Sequence, residues 1–145
     1  MSHVSELKYL MERFTRLLAI MEDQVLTHRE LSNLSIRQLN YLDLIRSFEN
    51  PRVSDLSSHL RVSKPTVAIA LKGLMDKGYV KKMQSNDDKR IFNIELTTKG
   101  TRINAIHDQA HEHIVRELFH CLTEKEVVVF EKLVVKILAN SELDV

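Results

Sequence analysis

Apolar side chains recur at three- and four-residue steps along most of the chain, which is the period of a helix with one buried face. The pattern predicts helices over residues 5–27, between Ser35 and Pro51, over 53–60, between Ser63 and Gly78, and over 98–120 and 124–139. Between residues 79 and 96 the period falls to two. This change predicts strands over 79–84 and 90–96, joined by a polar turn at 85–89.

Residue types at the predicted helix ends support these boundaries. Ser35 with Gln38, and Thr123 with Glu126, have the spacing of capping boxes. Ser63 precedes a proline in the first helical turn and is expected to be an N-cap, while Gly78 is expected to end the same helix. The sequence therefore predicts six helices and one hairpin, with residues 28–34 as a linker.

Two predicted helices carry apolar stripes with different consequences. The second helix places Leu39, Leu42, Ile45 and Phe48 on one face, as expected of a helix at a core. The last helix is apolar nearly all round, so it needs cover on several sides. One chain of this length can hardly supply that cover for its last helix, which predicts a homodimer. We expect Cys121, at the junction of the last two helices, to be a buried and inert thiol.

Composition places the chain among single globular domains. It has 145 residues, of which 43% are hydrophobic and 28% charged. No run of 18 apolar residues and no apolar signal core occurs, so we expect neither a membrane span nor secretion. A single cysteine excludes an internal disulfide and fits the cytoplasm.

The net charge of +1 hides an uneven distribution. Residues 51–100 carry ten basic and five acidic side chains, whereas both flanking segments are acidic overall. The basic segment coincides with the short helix, the helix after it and the predicted hairpin. This distribution favours a nucleic-acid contact in the middle of the chain.

The two central helices, joined by a tight turn and followed by a hairpin, have the order of a winged helix-turn-helix. At family spacing the sequence contains Leu34-Ser35-x-x-Gln38, Val53-Ser54-Asp55-Leu56-Ser57, Val62-Ser63-x-x-Thr66-Val67, Leu74-x-x-x-Gly78-Tyr79-Val80, Asp88-x-Arg90 and Leu96-Thr97-x-x-Gly100. With these motifs the chain resembles the MarR family of transcriptional regulators over nearly its whole length. Arg61 departs from the glycine often found in the turn.

The resemblance implies a mainly α fold with a small β-hairpin, forming one domain over residues 1–145. Residues 35–97 would form the DNA-binding lobe, and residues 1–34 and 98–145 a helical dimerisation region. The residues expected at the dimer interface are Leu7, Leu10, Phe14, Ile114, Leu118, Val128, Phe130, Leu133, Val134 and Ile137. The expected function is a ligand-responsive repressor that binds a pseudo-palindromic operator in double-stranded DNA.

In this family the second helix of the helix-turn-helix, here between Ser63 and Gly78, is the recognition helix, and the hairpin after it is the wing. The predicted DNA contacts lie at the start and on the open face of the recognition helix and in the wing. They are Ser63, Lys64, Pro65, Thr66, Ala68, Ile69, Lys72, Lys82, Asp88, Lys89 and Arg90, with Lys81 as a further phosphate contact. Asp88 is expected to restrain Arg90. Many relatives carry basic or hydroxyl residues where this chain has Ala68 and Ile69, so we expect A·T-rich specificity from contacts to thymine methyl groups.

The family commonly binds small effectors between the dimerisation region and the DNA-binding lobe. The candidate lining residues here are Met21, Glu22, Val25, Asn40, His107 and His111. A zinc-responsive branch uses a matching set, for which Glu22, His107 and His111 are candidates. Asn40 stands where that branch has a third histidine, and His28 could substitute for it. No cofactor is required, and zinc is the less favoured alternative to an organic effector.

Two other classes of function remain as alternatives. The sequence has no glycine-rich phosphate loop, nucleophile elbow or paired-carboxylate motif, so we expect no enzymatic activity. A protein-interaction module with a degenerate winged helix would not need the basic wing. Neutralising Lys64, Lys72, Lys82 and Arg90 would discriminate it from a DNA-binding protein.

Overall fold

The computed structural model describes residues 3–27 and 29–141, so His28 lies outside the described residues. The elements in chain order are α1 (His3–Leu26), α2 (Ile36–Ser47), α3 (Val53–Leu60), α4 (Lys64–Asp76), β1 (Val80–Gln84), β2 (Phe92–Leu96), α5 (Thr98–Phe119) and α6 (Glu124–Ala139). These bounds confirm the predicted order of helices and hairpin to within a few residues.

The predicted helix caps are confirmed. The Ser35 hydroxyl accepts a bond from the backbone N–H of Gln38, and the Gln38 side chain accepts one from the Ser35 N–H. Thr123 and Glu126 form the same reciprocal pair at the start of α6. Because these bonds satisfy N–H groups that a helix leaves unpaired, the residues at the caps set where the helices begin.

The two helices of the helix-turn-helix, α3 and α4, are each followed by a residue in the left-handed conformation. Gly78 follows α4 with a φ of 78°, as its residue type predicts. Arg61 ends α3 with a φ of 51°, although a side chain disfavours this region. The turn is supported beyond Arg61 by Ser57, whose hydroxyl donates to the Val62 carbonyl at 2.6 Å.

The core lies under α2, α3, α4 and the hairpin. Its fully buried members include Leu39, Leu42, Ile45, Leu56, Val67, Leu71, Leu74 and Ile94. One expectation about this region was wrong. Phe48, directly after the end of α2, is 42% exposed and stacks edge-on with His59. The linker segment also supplies Leu31 and Leu34 to the core.

The hairpin is antiparallel, with Val80 opposite Leu96 and Gln84 opposite Phe92. Ile94 is its anchor: the side chain is fully buried and the backbone N–H donates to the Pro51 carbonyl at 2.8 Å. This bond ties the hairpin to the start of α3. The position of the hairpin is therefore fixed by this bond to the helix-turn-helix, in addition to the hydrogen bonds between its own two strands.

The helices outside this core remain largely uncovered. No residue of α6 is buried, and α6 contacts its own chain through an edge-on stacking of Phe119 and Phe130 with centroids 5.0 Å apart. The expectation that Cys121 is buried was wrong, because its thiol is exposed between α5 and α6. Large apolar side chains on α1 and α6 thus meet solvent in the single chain.

Candidate nucleic-acid interface

Helix α4 has a buried face and an open face. Val67, Leu71 and Leu74 are fully buried against the core. A helix turns by about 100° per residue, so Ile69 and Lys72 lie on the opposite side of α4. Ile69 is 74% exposed. The open face can therefore approach a flat or grooved partner without disturbing the core.

The start of α4 combines a cap with an exposed cation. The Ser63 hydroxyl accepts a bond from the Thr66 N–H at 3.3 Å and also lies 2.8 Å from the Thr66 hydroxyl. Both hydroxyls are thus engaged with each other. Lys64 and Pro65 are exposed beside them, at the end of the helix where its dipole favours a phosphate group.

The wing presents further cations. Lys82 and Lys89 are exposed, and the Gln84 side-chain amide donates to the Lys89 carbonyl at 2.6 Å, which shapes the hairpin end. Asp88 accepts a bond from the backbone N–H of Arg90 at 2.9 Å. Asp88 therefore fixes the backbone at Arg90 and leaves the guanidinium group available.

These cations differ in whether they are already neutralised. Lys81 lies 3.5 Å from the carboxylate of Glu95 across the hairpin. In contrast, no ion pair within the described part of the chain involves Lys64, Lys72, Lys82, Lys89 or Arg90. Exposed cations without acidic partners on one lobe provide the charge that a phosphate backbone would meet.

A second site lies where α1, α2 and α5 meet. A small cavity of about 100 Å³ is lined by Glu22, Val25, Ile36, Asn40, His107 and His111. The structure thus brings together five of the six predicted effector-site residues. Met21, the sixth, lines a neighbouring cavity of about 490 Å³ between α1 and α5, together with Val25 and Ile114.

His107 is the buried centre of a polar network beside this cavity. The Nε2 atoms of His107 and His111 lie 2.9 Å apart, so one ring must donate and the other accept. Nδ1 of His107, which is 4% exposed, lies 3.2 Å from the Asp43 carboxylate. Asn104, also buried, donates to the same carboxylate.

The network perturbs the pKa of Asp43. Partial burial acts to raise this pKa, but the bonds and charges of His107, Asn104 and Arg46 outweigh burial and hold it below its usual value. Arg46 also binds Asp108 of α5 through both guanidinium nitrogens. Asp43 is therefore a carboxylate that ties α2 to α5.

Asp43, Asn104 and the pair formed by Arg46 and Asp108 were not among the residues predicted from the sequence. A signal for part of this set was present. Asn104, His107 and His111 recur at helical steps close to the apolar stripe of α5, where polar residues need buried partners. The partner on α2 carries no such signal, because the crossing of two helices selects it.

The candidate metal ligands form an incomplete set. Only His107 and His111 are in direct contact, although Glu22 lines the same cavity. Over residues 3–27 and 29–141, no group of three or more His, Cys, Asp or Glu side chains is arranged to hold a metal ion. Zinc bound to these two histidines would need water or a further group to complete its ligand set.

Comparison with known proteins agrees with this architecture. The MarR family model matches residues 34–92, which run from the end of the linker segment to the start of β2. FabT of Streptococcus pneumoniae, solved in complex with DNA, is 27% identical, with a TM-score of 0.80 and coverage of 94% of both chains. Residues 34–92 therefore match the MarR family, and the fold as a whole is similar to that of FabT.

Other relatives support the same assignment. A mutant of MarR from E. coli is 28% identical, with a TM-score of 0.63 over 86% of this chain and 95% of that one. The uncharacterized HTH-type transcriptional regulator YybA of Bacillus subtilis is 26% identical over 117 residues, covering 79% of this chain and 78% of YybA. This chain thus has a winged helix-turn-helix fold and is similar to transcriptional regulators of the MarR type.

In the part of the chain that the structure describes, no helix has the combination of length and hydrophobicity that a membrane span requires.

Proposed function

We propose that this protein represses transcription by binding a pseudo-palindromic site in double-stranded DNA as a homodimer, in the cytoplasm, with its affinity controlled by a small ligand. The observation that carries the proposal is the open face of α4 next to exposed cations that have no acidic partner among residues 3–27 and 29–141. FabT, similar over 94% of its chain, was solved with DNA bound. A recognition helix and a wing provide one contact to the major groove and one beside it.

The exposed apolar side chains of α6 support the dimer. Leu133, Val135 and Ile137 are each more than half exposed in the single chain. Leaving such a surface in water costs free energy in proportion to its area, and a second copy would cover it. Two-fold symmetry then places two recognition helices on half-sites about one DNA turn, ~10 bp, apart.

The dimer can be tested through α6. Leu133→Glu adds a negative charge to the apolar surface and should shift the protein to monomers in sedimentation equilibrium, with loss of DNA binding. Lys132→Gln changes the net charge by the same amount on the neighbouring residue and should leave the dimer intact. A wild-type protein that sediments as a monomer would contradict the proposal.

DNA binding can be tested by footprinting on the DNA upstream of the protein's own gene at low salt. Protection of two half-sites is expected, and joint replacement of Lys64, Lys72, Lys82 and Arg90 by alanine should abolish it. The matched control replaces Lys125, Lys132, Lys136 and Arg116, which lie on α5 and α6, and should retain it. If the protein were an interaction module that does not bind DNA, neither the wild type nor the variants would protect the DNA.

The cavity between α1, α2 and α5 supports the ligand response. Helix α2 packs in the DNA-binding lobe, whereas α1 and α5 belong to the proposed dimerisation region, so a molecule held there contacts both. It would alter DNA affinity only by binding one spacing of the recognition helices better than the other. Ligand-dependent release of operator DNA is the expected result.

A zinc-responsive regulator is the second candidate. It is favoured by the contact between the Nε2 atoms of His107 and His111 and by Asp43 beside the remaining ring nitrogen, an arrangement that orients histidine ligands. Metal analysis after zinc loading should give about one zinc per chain, and His111→Ala should lose it. A stoichiometry near zero would leave the organic effector as the ligand class.

A further inference from the structure

Ile69 occupies a position that protein stability does not explain. Among the large apolar side chains that the structure describes, only Val4 near the start of α1 matches its 74% exposure. Ile69 packs on no core cluster, and a β-branched residue is not a strong helix former. A side chain that strengthens neither the core nor the helix points to a contact outside the chain.

The surroundings of Ile69 define what that contact can be. Helix α4 contains no Arg, Asn or Gln, which read guanine or adenine through paired hydrogen bonds, and the residues in it that can donate to guanine are Lys64 and Lys72. Pro65 and Ala68 beside Ile69 are apolar, and the nearby Thr66 hydroxyl is hydrogen-bonded to Ser63 at 2.8 Å. Between the two lysines, the centre of the open face is therefore mainly apolar.

Charge complementarity identifies the occupant. Lys64 lies one turn before Ala68, and Lys72 lies one turn after it, both exposed and both without an ion pair in the described residues. Their spacing brackets the apolar centre with positive charge. This arrangement matches a major groove, where phosphates border the base edges and the one apolar group on those edges is the thymine methyl.

We propose that Ile69 reads one thymine in each half-site through its C5 methyl group, and that hydrophobic contact alone supplies the specificity at that base pair. This inference rests on the proposed DNA-binding function. It makes Ile69 the specificity-determining residue of α4, with Lys64 and Lys72 holding the phosphates on either side.

The experiment separates the methyl group from the rest of the base. A duplex enriched by the protein from random-sequence DNA is the probe, and each thymine in it is replaced in turn by deoxyuridine, which keeps every hydrogen bond and lacks the methyl. At one thymine per half-site the replacement should weaken binding about fourfold, which corresponds to one buried methyl group. Replacement in both half-sites should weaken it about fifteenfold.

Variants assign the effect to Ile69. Ile69→Ala should bind the thymine and deoxyuridine duplexes equally. Lys72→Ala, the matched control on the same face, should bind both more weakly while keeping their ratio. If wild-type protein is indifferent to every deoxyuridine, or if Ile69→Ala keeps the preference, the inference is wrong although DNA binding stands.

A second duplex tests sufficiency. Replacing the same T·A pair by C·G removes the methyl and changes the hydrogen-bonding groups, and 5-methylcytosine at that position restores only the methyl. Recovery of most of the affinity supports recognition by the methyl alone, and failure to recover overturns it. If no sequence is enriched and no duplex is bound, the proposed function itself fails.

Discussion

At Gly100, the start of α5 packs closely against the backbone of Tyr79, the residue before β1. A Cβ atom at this position would lie 2.0 Å from the Tyr79 carbonyl oxygen. Because this oxygen belongs to the backbone, the clash could be relieved only by a shift of the main chain. The same carbonyl accepts bonds from the N–H and the hydroxyl of Thr97. The glycine therefore permits α5 to leave the wing at this point.

Replacing Gly100 and replacing Gly73, which lies inside α4, should have opposite effects on the free energy of unfolding. Gly100→Ala is expected to lower the free energy of unfolding by about 3 kcal/mol, because overpacking forces the backbone apart. Gly73→Ala should raise it by about 0.5 kcal/mol or more. Its new Cβ would meet only the Gln38 amide nitrogen, at 3.7 Å, and glycine disfavours a helix interior.

Urea unfolding of both variants at equal protein concentration provides the measurement. A Gly100→Ala variant as stable as the wild type would contradict the close approach. Loss of stability in Gly73→Ala would mean that α2 and α4 pack more tightly than the 3.7 Å contact indicates.

Among the elements, α2 and α5 are joined by two polar contacts that differ in burial. Asp43 contacts His107 and Asn104, which are 4% and 1% exposed. Arg46 and Asp108 form their pair at the surface. Burial decides the energetics, because a buried group that loses its partner has no water to replace it.

Single substitutions should reveal this difference. Asp43→Ala is expected to cost about 2 kcal/mol of stability, since it removes the hydrogen-bond acceptor of the buried Asn104 amide and the carboxylate beside His107 Nδ1. Arg46→Ala should cost less than about 1 kcal/mol, as for other exposed ion pairs. Thermal unfolding under identical conditions measures both, and equal losses would refute the distinction.

The N-terminal cap of α6 should make the stability of the folded protein depend on pH. Hydrogen bonds from the Thr123 backbone and hydroxyl hold the pKa of Glu126 below its usual value. A lowered folded pKa stabilises the folded state above the unfolded pKa, about 4.3, and this contribution disappears as pH falls through the folded pKa. Ionised Glu126 therefore favours the folded protein at neutral pH.

The variant Glu126→Gln isolates this effect, because its amide can still accept a bond from Thr123 but does not titrate. The wild type should unfold at higher denaturant concentration than the variant at pH 7, and the difference should shrink as the pH falls below the unfolded pKa of about 4.3. Glu131→Gln, on the same helix and outside the cap, serves as the control. A difference that grows on acidification would contradict the pKa direction.

For the whole molecule, the charge distribution predicts a salt-dependent association. Each phosphate contact contributes about −0.9 to the slope of log affinity against log salt concentration. Lys82→Ala or Arg90→Ala removes one contact from each subunit, so either should reduce the slope by about 2 in the proposed dimer. Titrations of operator DNA at salt concentrations from about 50 to about 200 mM measure this slope.

Lys132→Ala is the control for the salt titration, because α6 lies outside the DNA-binding lobe. Its slope should equal that of the wild type. A reduction by about 1 for the wing variants would indicate that only one subunit contacts DNA.

Local patterns in the sequence determined much of this protein. Caps at Ser35, Ser63 and Thr123, the glycine after α4 and the change of period at residue 79 specify the elements and their order. They could be predicted because each depends on residues within one or two turns of one another. The open face of α4 followed from the same periodicity.

Only the tertiary structure decided the contacts between distant segments. Leu31 and Leu34 enter the core from a segment with no regular period, and Phe48, directly after the end of α2, lies outside the core. The pairing of Asp43 with His107 and Asn104 depends on how α2 crosses α5. Such contacts arise from packing in three dimensions, where partners are selected by helix crossing and not by spacing along the chain.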